Sequence, residues 1–301
     1  MNVIRYRDHT GEVRLAVKTD EGGVYCLPQR DLFALLHEAR SCGQSPGEWI
    51  RNYLVGGDPA LLVEEGLAFL VPVEAPEVWA AGVTYQRSRE ARNYEATGGK
   101  LDASTFYDKV YDAVRPELFL KSTAARTVGT GTEVRLRSDS DWQVPEPELG
   151  LVLDSEGTIV GYTIGNDMSC RDIEGENPLY LPQAKMWSRS CSIGPYVRLA
   201  EFVPDPYALD IGCRIFRDGQ LCFDGSASTG QLKRKLEELV EFLKRDNDLF
   251  EGTVLLTGTC VVPPNEFTLA AGDRIEISIT GLGTLVNVAA AGAGADAAVK
   301  L

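Results

Sequence analysis

Histidine is almost missing from this chain. The 301 residues hold two, His9 and His37, both ahead of residue 40. A Ser-His-Asp or Cys-His site would have to draw its base from that stretch. His37 falls in a short helical-looking segment, residues 31–40, and reads as a surface residue. Long apolar runs are also missing: none reaches the roughly 18 residues of a membrane helix. The opening M-N-V-I-R-Y-R-D-H carries no apolar core of a signal peptide. Positive charge is scarce, with 30 Lys and Arg against 44 Asp and Glu, a net charge of −14. That balance argues against nucleic-acid and anionic-membrane partners. It leaves room for an anionic substrate, because a metal and a few arginines can make a local positive site. No C-x-x-C occurs among the seven cysteines, whose odd number and wide spacing fit reduced thiols of the cytoplasm rather than disulfides or zinc. Cys191 has no histidine near it in sequence and reads as a small buried core residue.

What the chain does have is concentrated in residues 146–185. Glu146 and Glu148 stand two apart at the head of an apolar run that reads as a strand, so they share a face. Asp154-Ser155-Glu156-Gly157 signals a turn, and residues 158–165 read as a second strand. If the turn closes tightly, Leu153 opposes Thr158, Glu148 opposes Thr163 and Glu146 opposes Gly165. Asp167 then points the same way as the two glutamates. A loop one residue longer or shorter turns it to the other face. Three converging carboxylates repel and raise one another's pKa. The nearby cations are Arg171 and Lys185, and a hard divalent ion relieves the repulsion better. Carboxylate oxygens and water suit Mg²⁺, with Mn²⁺ or Ca²⁺ as substitutes. Two Glu on one strand face also suit the solvated side of an antiparallel sheet. Pro147 fits a strand end or free edge, and Gly165-Asn166 leaves regular pairing easily.

The rest of the chain divides into residues 1–73, a small α+β unit; 74–290, the β-rich remainder; and 291–301, an Ala/Gly-rich tail that frays. In the first unit, short alternating segments surround turns at residues 8–11 and 20–23. Residues 29–40 and 46–54 read as helices, and 71–76 as a linker. The first unit shows no chemistry of its own. Residues 78–85 form a strand that runs into a polar stretch, where Arg87 and Arg89, two apart, either face an anionic substrate or start a solvated helix. Residues 98–112, polar and Gly-containing, suit a lid. In residues 116–121 alternation places Glu117, Phe119 and Lys121 on one face. Residues 229–245 read as a helix capped by Thr229, with Leu232, Leu236, Leu239, Val240 and Leu243 as its apolar stripe.

Several motifs in order resemble the fumarylacetoacetate hydrolase (FAH) family. They are E-x-E at 146–148, G-Y-x-x-x-N-D-x-S-x-R-D at 161–172 and the downstream Lys185, then L-x-T-G-T at 255–259, G-D-x-I at 272–275 and G-x-G-x-L-x-N at 281–287. The likeness covers about residues 76–288. It implies an α+β, β-rich fold, a mixed β-sandwich or roll with a small N-terminal α+β domain, and a homodimer or homotetramer. It implies Glu146, Glu148 and Asp167 as Mg²⁺ ligands and Lys185 as the active-site lysine. Glu117 matches the family's P-E-x-F-x-K segment and becomes the candidate second acid–base. Tyr85 and Thr259 fall at substrate positions, Thr259 near the substrate carboxylate. Members that hydrolyse C–C bonds place a His–Glu pair where this chain has Ser88 and Ala91, which counts against hydrolysis. Within the family, E-N-P-L-Y-L-P-Q-A-K at 176–185 is similar to the dehydratases of 2-keto-3-deoxy pentonates. The expected chemistry is a metal-polarised 2-keto acid that loses a C3 proton to an enolate and then water from C4, giving 2,5-dioxopentanoate. A Schiff base through Lys185 competes as a mechanism. The family alternatives are acylpyruvate-type hydrolysis, oxaloacetate decarboxylation or keto-acid isomerisation, and a non-enzymatic binding protein is the remaining reading.

Overall fold

Alternation along the strand Pro147–Leu153 organises the molecule. Leu149, Leu151 and Leu153 enter one apolar cluster, Val152 enters another, and every residue of the strand is buried. A strand covered on both faces needs an element on each side. On one side lies a sheet of five strands, in the order Gln220–Ser228, Asp210–Arg217, Arg274–Ile279, Gly283–Ala290 and Glu133–Arg135. It sends Ile211, Ile215, Ile275 and Ile277 into the shared core. On the other side lie the helices Leu32–Ser41 and Pro46–Gly56, which bury Leu32, Leu35 and Ile50 beside Val152, Val254 and Leu256. Each such side chain contributes about 1.5–3 kcal/mol. The computed structural model that shows this describes residues 1–57, 59–97 and 106–292.

Pro147–Leu153 lies within a sheet of 12 strands, between Ile159–Asp167 and Thr253–Thr259. Beyond Thr253–Thr259 come Glu77–Gly82, paired parallel, and Glu117–Thr123. Beyond Ile159–Asp167 come Cys191–Leu199 and then Asn2–Arg7. The first 73 residues therefore extend the same sheet: Asn2 pairs with Arg198 and Val3 with Val197. The stretch read as a linker packs Val73 and Ala75 into the core.

The hairpin register differs from the tight-turn expectation by two residues. Glu148 opposes Gly165, not Thr163, and Pro147 opposes Asn166. The loop is one residue longer, because Asp154 Oδ1 accepts from Glu156 N–H at 3.0 Å and Thr158 N–H at 2.7 Å. A bulge between Val152 and Leu153 adds a second residue. One extra residue would have turned Asp167 away; two restore its face.

The capped helix at 229–245 is also corrected. Thr229–Gln231 is a single 3₁₀ turn, and the α-helix runs only from Leu236 to Lys244. Thr229 Oγ1 accepts instead from Leu209 N–H at 2.9 Å. The stripe of Leu236, Leu239, Val240 and Leu243 is buried as expected. Of the expected lid, the helix Phe106–Asp112 is described. Residues 98–105 and most of the C-terminal tail lie outside the described residues.

Candidate active site

Strand ends bring the carboxylates together. Glu146 precedes Pro147–Leu153, Glu148 lies in it, and Asp167 ends Ile159–Asp167, with Asp167 N–H donating to Glu146 O at 3.0 Å. One oxygen from each of the three side chains lies within 4.8 Å of the others, and all three residues are buried. Sharing a face at the ends of paired strands achieves this; a solvated sheet face would leave them exposed.

Four cations surround the triad. Lys185 is the last residue of the short helix Leu181–Lys185 and is buried. Its Nζ donates to Glu146 Oε2 at 2.6 Å and to Ser169 Oγ, and lies 3.2 Å from Glu174 Oε1 and 3.6 Å from Asp167 Oδ2. Lys121 Nζ lies 2.6 Å from Asp167 Oδ1 and donates to the carbonyls of Met168, at 2.7 Å, and Lys185. Arg171 Nη2 stands 3.7 Å from Glu146 Oε1, and Arg92 Nη2 3.0 Å from Glu174 Oε1.

Burial alone would raise the Glu146 carboxyl, but Lys185, Arg171 and Arg92 outweigh it and hold it at about 2. Glu148 goes the other way: burial, Asp167 and Glu146 push it well above the carboxylate range, and its bond from Gly258 N–H, at 2.7 Å, offsets little. Burial favours loss of the Lys185 proton, yet Asp167, Glu146 and Glu174 together raise its pKa, so it is an ammonium here.

Glu117 opposes Gly82 across a strand pair, and its buried Oε2 has no hydrogen-bond partner among the described residues. Burial raises its pKa despite Arg92, which favours the protonated acid. Lys121, on the same strand face as Glu117, is committed to Asp167. Thr259 lines the site, with Oγ1 donating to Val261 O at 3.1 Å. Gly258 before it has φ +95°, and a Cβ there would stand 1.9 Å from Thr84 Oγ1. Tyr85 is packed in the core between the sheets and bridges to Leu232 rather than lining the site.

Arg87 and Arg89 do not face the site. Residues 86–97 form a helix, on which positions two apart cannot share a face. Arg87 pairs with Glu90 on the exposed side, and Arg89 turns to Asp108 and the Tyr111 ring. Ser88, Ala91 and Arg92, three and four apart, line the site instead. Arg92, Lys121 and Glu174 were not singled out as site residues in the sequence. Helical spacing from Ser88 to Arg92 and from Arg171 to Glu174, and alternation from Glu117 to Lys121, are the signals that point to them.

Two cavities meet at Arg92. The inner one, about 20 Å³, is lined by the triad, Lys185, Arg171 and Thr259 and has room for one water- or ion-sized occupant. The outer one, about 510 Å³, is lined by Glu117, Glu174, Lys109, Arg115 and the apolar Leu179 and Leu181. Hard oxygen donors around an ion-sized space, with no Cys or His in the cluster, fit Mg²⁺.

These features define a class. The family model described as fumarylacetoacetate (FAA) hydrolase C-terminal matches residues 87–289, and the chain belongs to that family. Among curated relatives, it is 48% identical over 215 residues to 2-dehydro-3-deoxy-D-arabinonate dehydratase of Saccharolobus solfataricus, covering 71% of this chain and 72% of the relative. It is 52% identical over 217 residues to a probable 2-keto-3-deoxyxylonate dehydratase of Haloferax volcanii, covering 72% and 73%. A solved structure of 2-keto-3-deoxy-D-arabinonate dehydratase complexed with magnesium and 2,5-dioxopentanoate is similar, with a TM-score of 0.83 and 36% identity over 97% of this chain and 99% of that one.

Proposed function

We propose that this protein is a magnesium-dependent hydro-lyase that removes water from a 2-keto-3-deoxy pentonate and yields 2,5-dioxopentanoate. The observation that carries the reading is the buried triad Glu146, Glu148 and Asp167 beside an ammonium, Lys185, in a site with no histidine among its lining residues. The relatives' activities support the same substrate. The three carboxylates would hold the ion, which when bound would supply Lewis-acid stabilisation of negative charge at the C2 oxygen.

The chain's own groups supply the rest. Thr259, next to Gly258, lines the inner cavity and lies near the substrate carboxylate. Lys185 handles the C3 proton. It starts as an ammonium, with Glu174 at 3.2 Å; it either releases that proton before taking the one from C3, or stays charged and holds the enolate oxygen. Glu117, kept protonated by burial, donates to the departing C4 hydroxyl. The C4–O bond breaks, water leaves, and a proton shift from C5 completes the semialdehyde. Ser88 and Ala91 sit at the wall where hydrolysis would need an imidazole and its carboxylate partner. Mn²⁺ or Ca²⁺ substitutes for Mg²⁺, and the enzyme works as a homodimer or homotetramer in the cytoplasm.

The test is turnover of racemic 2-keto-3-deoxy pentonate with Mg²⁺ and with EDTA, the semialdehyde being followed by a coupled dehydrogenase. Metal-dependent product that is lost in Glu148→Ala is the expected result. No product from either enantiomer, with pyruvate released from acylpyruvates, would replace this reading with the hydrolase.

A further inference from the structure

The outer cavity has a wall whose anchorage lies in neither cavity. The helix Phe106–Asp112 and the residues after it supply Lys109, Val110, Ala113, Arg115 and Pro116 to that wall and lead directly into Glu117. A short helix ends with carbonyls that its own turns cannot satisfy. Here they are satisfied from a distant segment. Arg234 Nη2 donates to Ala113 O at 2.6 Å and to Val110 O at 3.4 Å, and Nη1 donates to Val114 O at 3.2 Å. Nη1 also donates to Glu238 Oε1 at 2.7 Å, which aims the guanidinium. Lys233 Nζ donates to Tyr111 O at 2.6 Å and lies 3.8 Å from the centre of the Tyr111 ring.

Lys233 and its neighbour Leu232 reach the segment after Glu77–Gly82 through their backbone. Lys233 N–H donates to Thr84 O at 3.0 Å, and Leu232 bridges to Tyr85. Thr84 in turn donates to Thr257 O at 2.6 Å, next to the Gly258 N–H that binds Glu148. Residues 232–234 thus form a strut between the wall that carries Glu117 and the strand ends that carry the triad. Arg234 is buried and lines neither cavity.

We infer that Arg234 is a positioning residue for the reaction: by capping the wall helix it fixes Glu117 relative to the inner cavity. This rests on the acid role given to Glu117 above. A planar fork that bonds three carbonyls and a carboxylate has no equivalent in lysine, which offers one nitrogen. A substitution there would let the wall fray without touching substrate.

The experiment compares wild type, Arg234→Met, Arg234→Lys, Glu117→Gln and the double variant Arg234→Met/Glu117→Gln as Mg²⁺-loaded enzymes. Wild-type turnover reports on the dehydratase reading alone. Amide hydrogen exchange of residues 106–116 reports on the strut alone. In Arg234→Met exchange there should quicken while the triad strands stay protected, and kcat should fall at least tenfold. Arg234→Lys should recover part of that loss. In the Glu117→Gln background, Arg234→Met should cost less than twofold further, because both act through one carboxyl. Unchanged exchange at 106–116, unchanged kcat despite faster exchange, or a full tenfold loss on top of Glu117→Gln would each overturn the inference.

Discussion

Glu117 and Lys121 lie four residues apart on one strand face and meet opposite fates. Glu117 has a buried oxygen without a partner among the described residues and is pushed toward its protonated form. Lys121 is saturated by Asp167 and two carbonyls. An unpartnered buried carboxyl is costly unless something uses it. Glu117→Gln keeps shape and loses the proton, so kcat should fall roughly 100-fold or more with KM little changed. Steady-state kinetics checks this, and a rise in KM alone would sink the acid role. Lys121→Met should act on the fold instead. It removes the nearer partner of a fully buried carboxylate and leaves Asp167 to Lys185 at 3.6 Å, which costs up to about 3–5 kcal/mol. A urea unfolding curve of the metal-free protein measures it; a loss under about 1 kcal/mol would mean that Lys121 does not hold Asp167.

At the scale of the element, the hairpin shows what a sequence can and cannot tell. Its strands, turn and shared carboxylate face were legible, because alternation and Asp-Ser-Glu-Gly are local signals. Its register was not. The longer loop and the bulge each shift pairing by one, and only their sum keeps Asp167 beside Glu148. Helix Gln86–Thr97 shows a choice the sequence leaves open. Arg87 and Arg89 either face a substrate or start a solvated helix; the helix forms, and it presents Ser88 and Arg92 to the site. Propensity there is too weak to settle the period without the packing that Ala91 and Arg92 make. The late start of the helix Leu236–Lys244 has a tertiary cause too, since Thr229 Oγ1 is taken by Leu209. The loop itself rests on one side chain. Asp154→Ala removes the acceptor for two backbone N–H groups and should destabilise by about 1–2 kcal/mol. Mg²⁺ affinity should be unchanged, because neighbouring strands hold the triad from both sides. Calorimetric titration together with urea unfolding separates the two; loss of Mg²⁺ binding would show that the loop, not the sheet, sets the register.

For the molecule as a whole, the net charge of −14 hides a nearly balanced centre. Around the inner cavity stand the acids Glu117, Glu146, Glu148, Asp167 and Glu174 and the cations Arg92, Lys121, Arg171 and Lys185. With Glu117 protonated and Glu148 ionised to receive the metal, the side-chain charges cancel, and a dication leaves the site suited to a negatively charged substrate. Binding that ion also has to displace protons. The folded Glu148 carboxyl sits well above its unfolded value, so the folded state holds the extra proton through the window above about 4.5. In that window the metal-free protein loses stability as pH rises. Mg²⁺ binds the ionised form, so its apparent affinity should rise with pH and binding should release protons. At an ion concentration 100 times Kd the folded state should gain about 2.7 kcal/mol. For a chain of this size that is a rise in Tm of about 5 °C. Titration calorimetry at pH 6 in two buffers of different ionisation enthalpy should give different heats, by the protons released. At fixed Mg²⁺ the Tm increment should be larger at pH 8 than at pH 6. Heats independent of buffer, with an increment that is flat or falls with pH, would mean that Glu148 enters the metal site already ionised. The repulsion among the three carboxylates would then be carried by Lys185 and Arg171 without a proton.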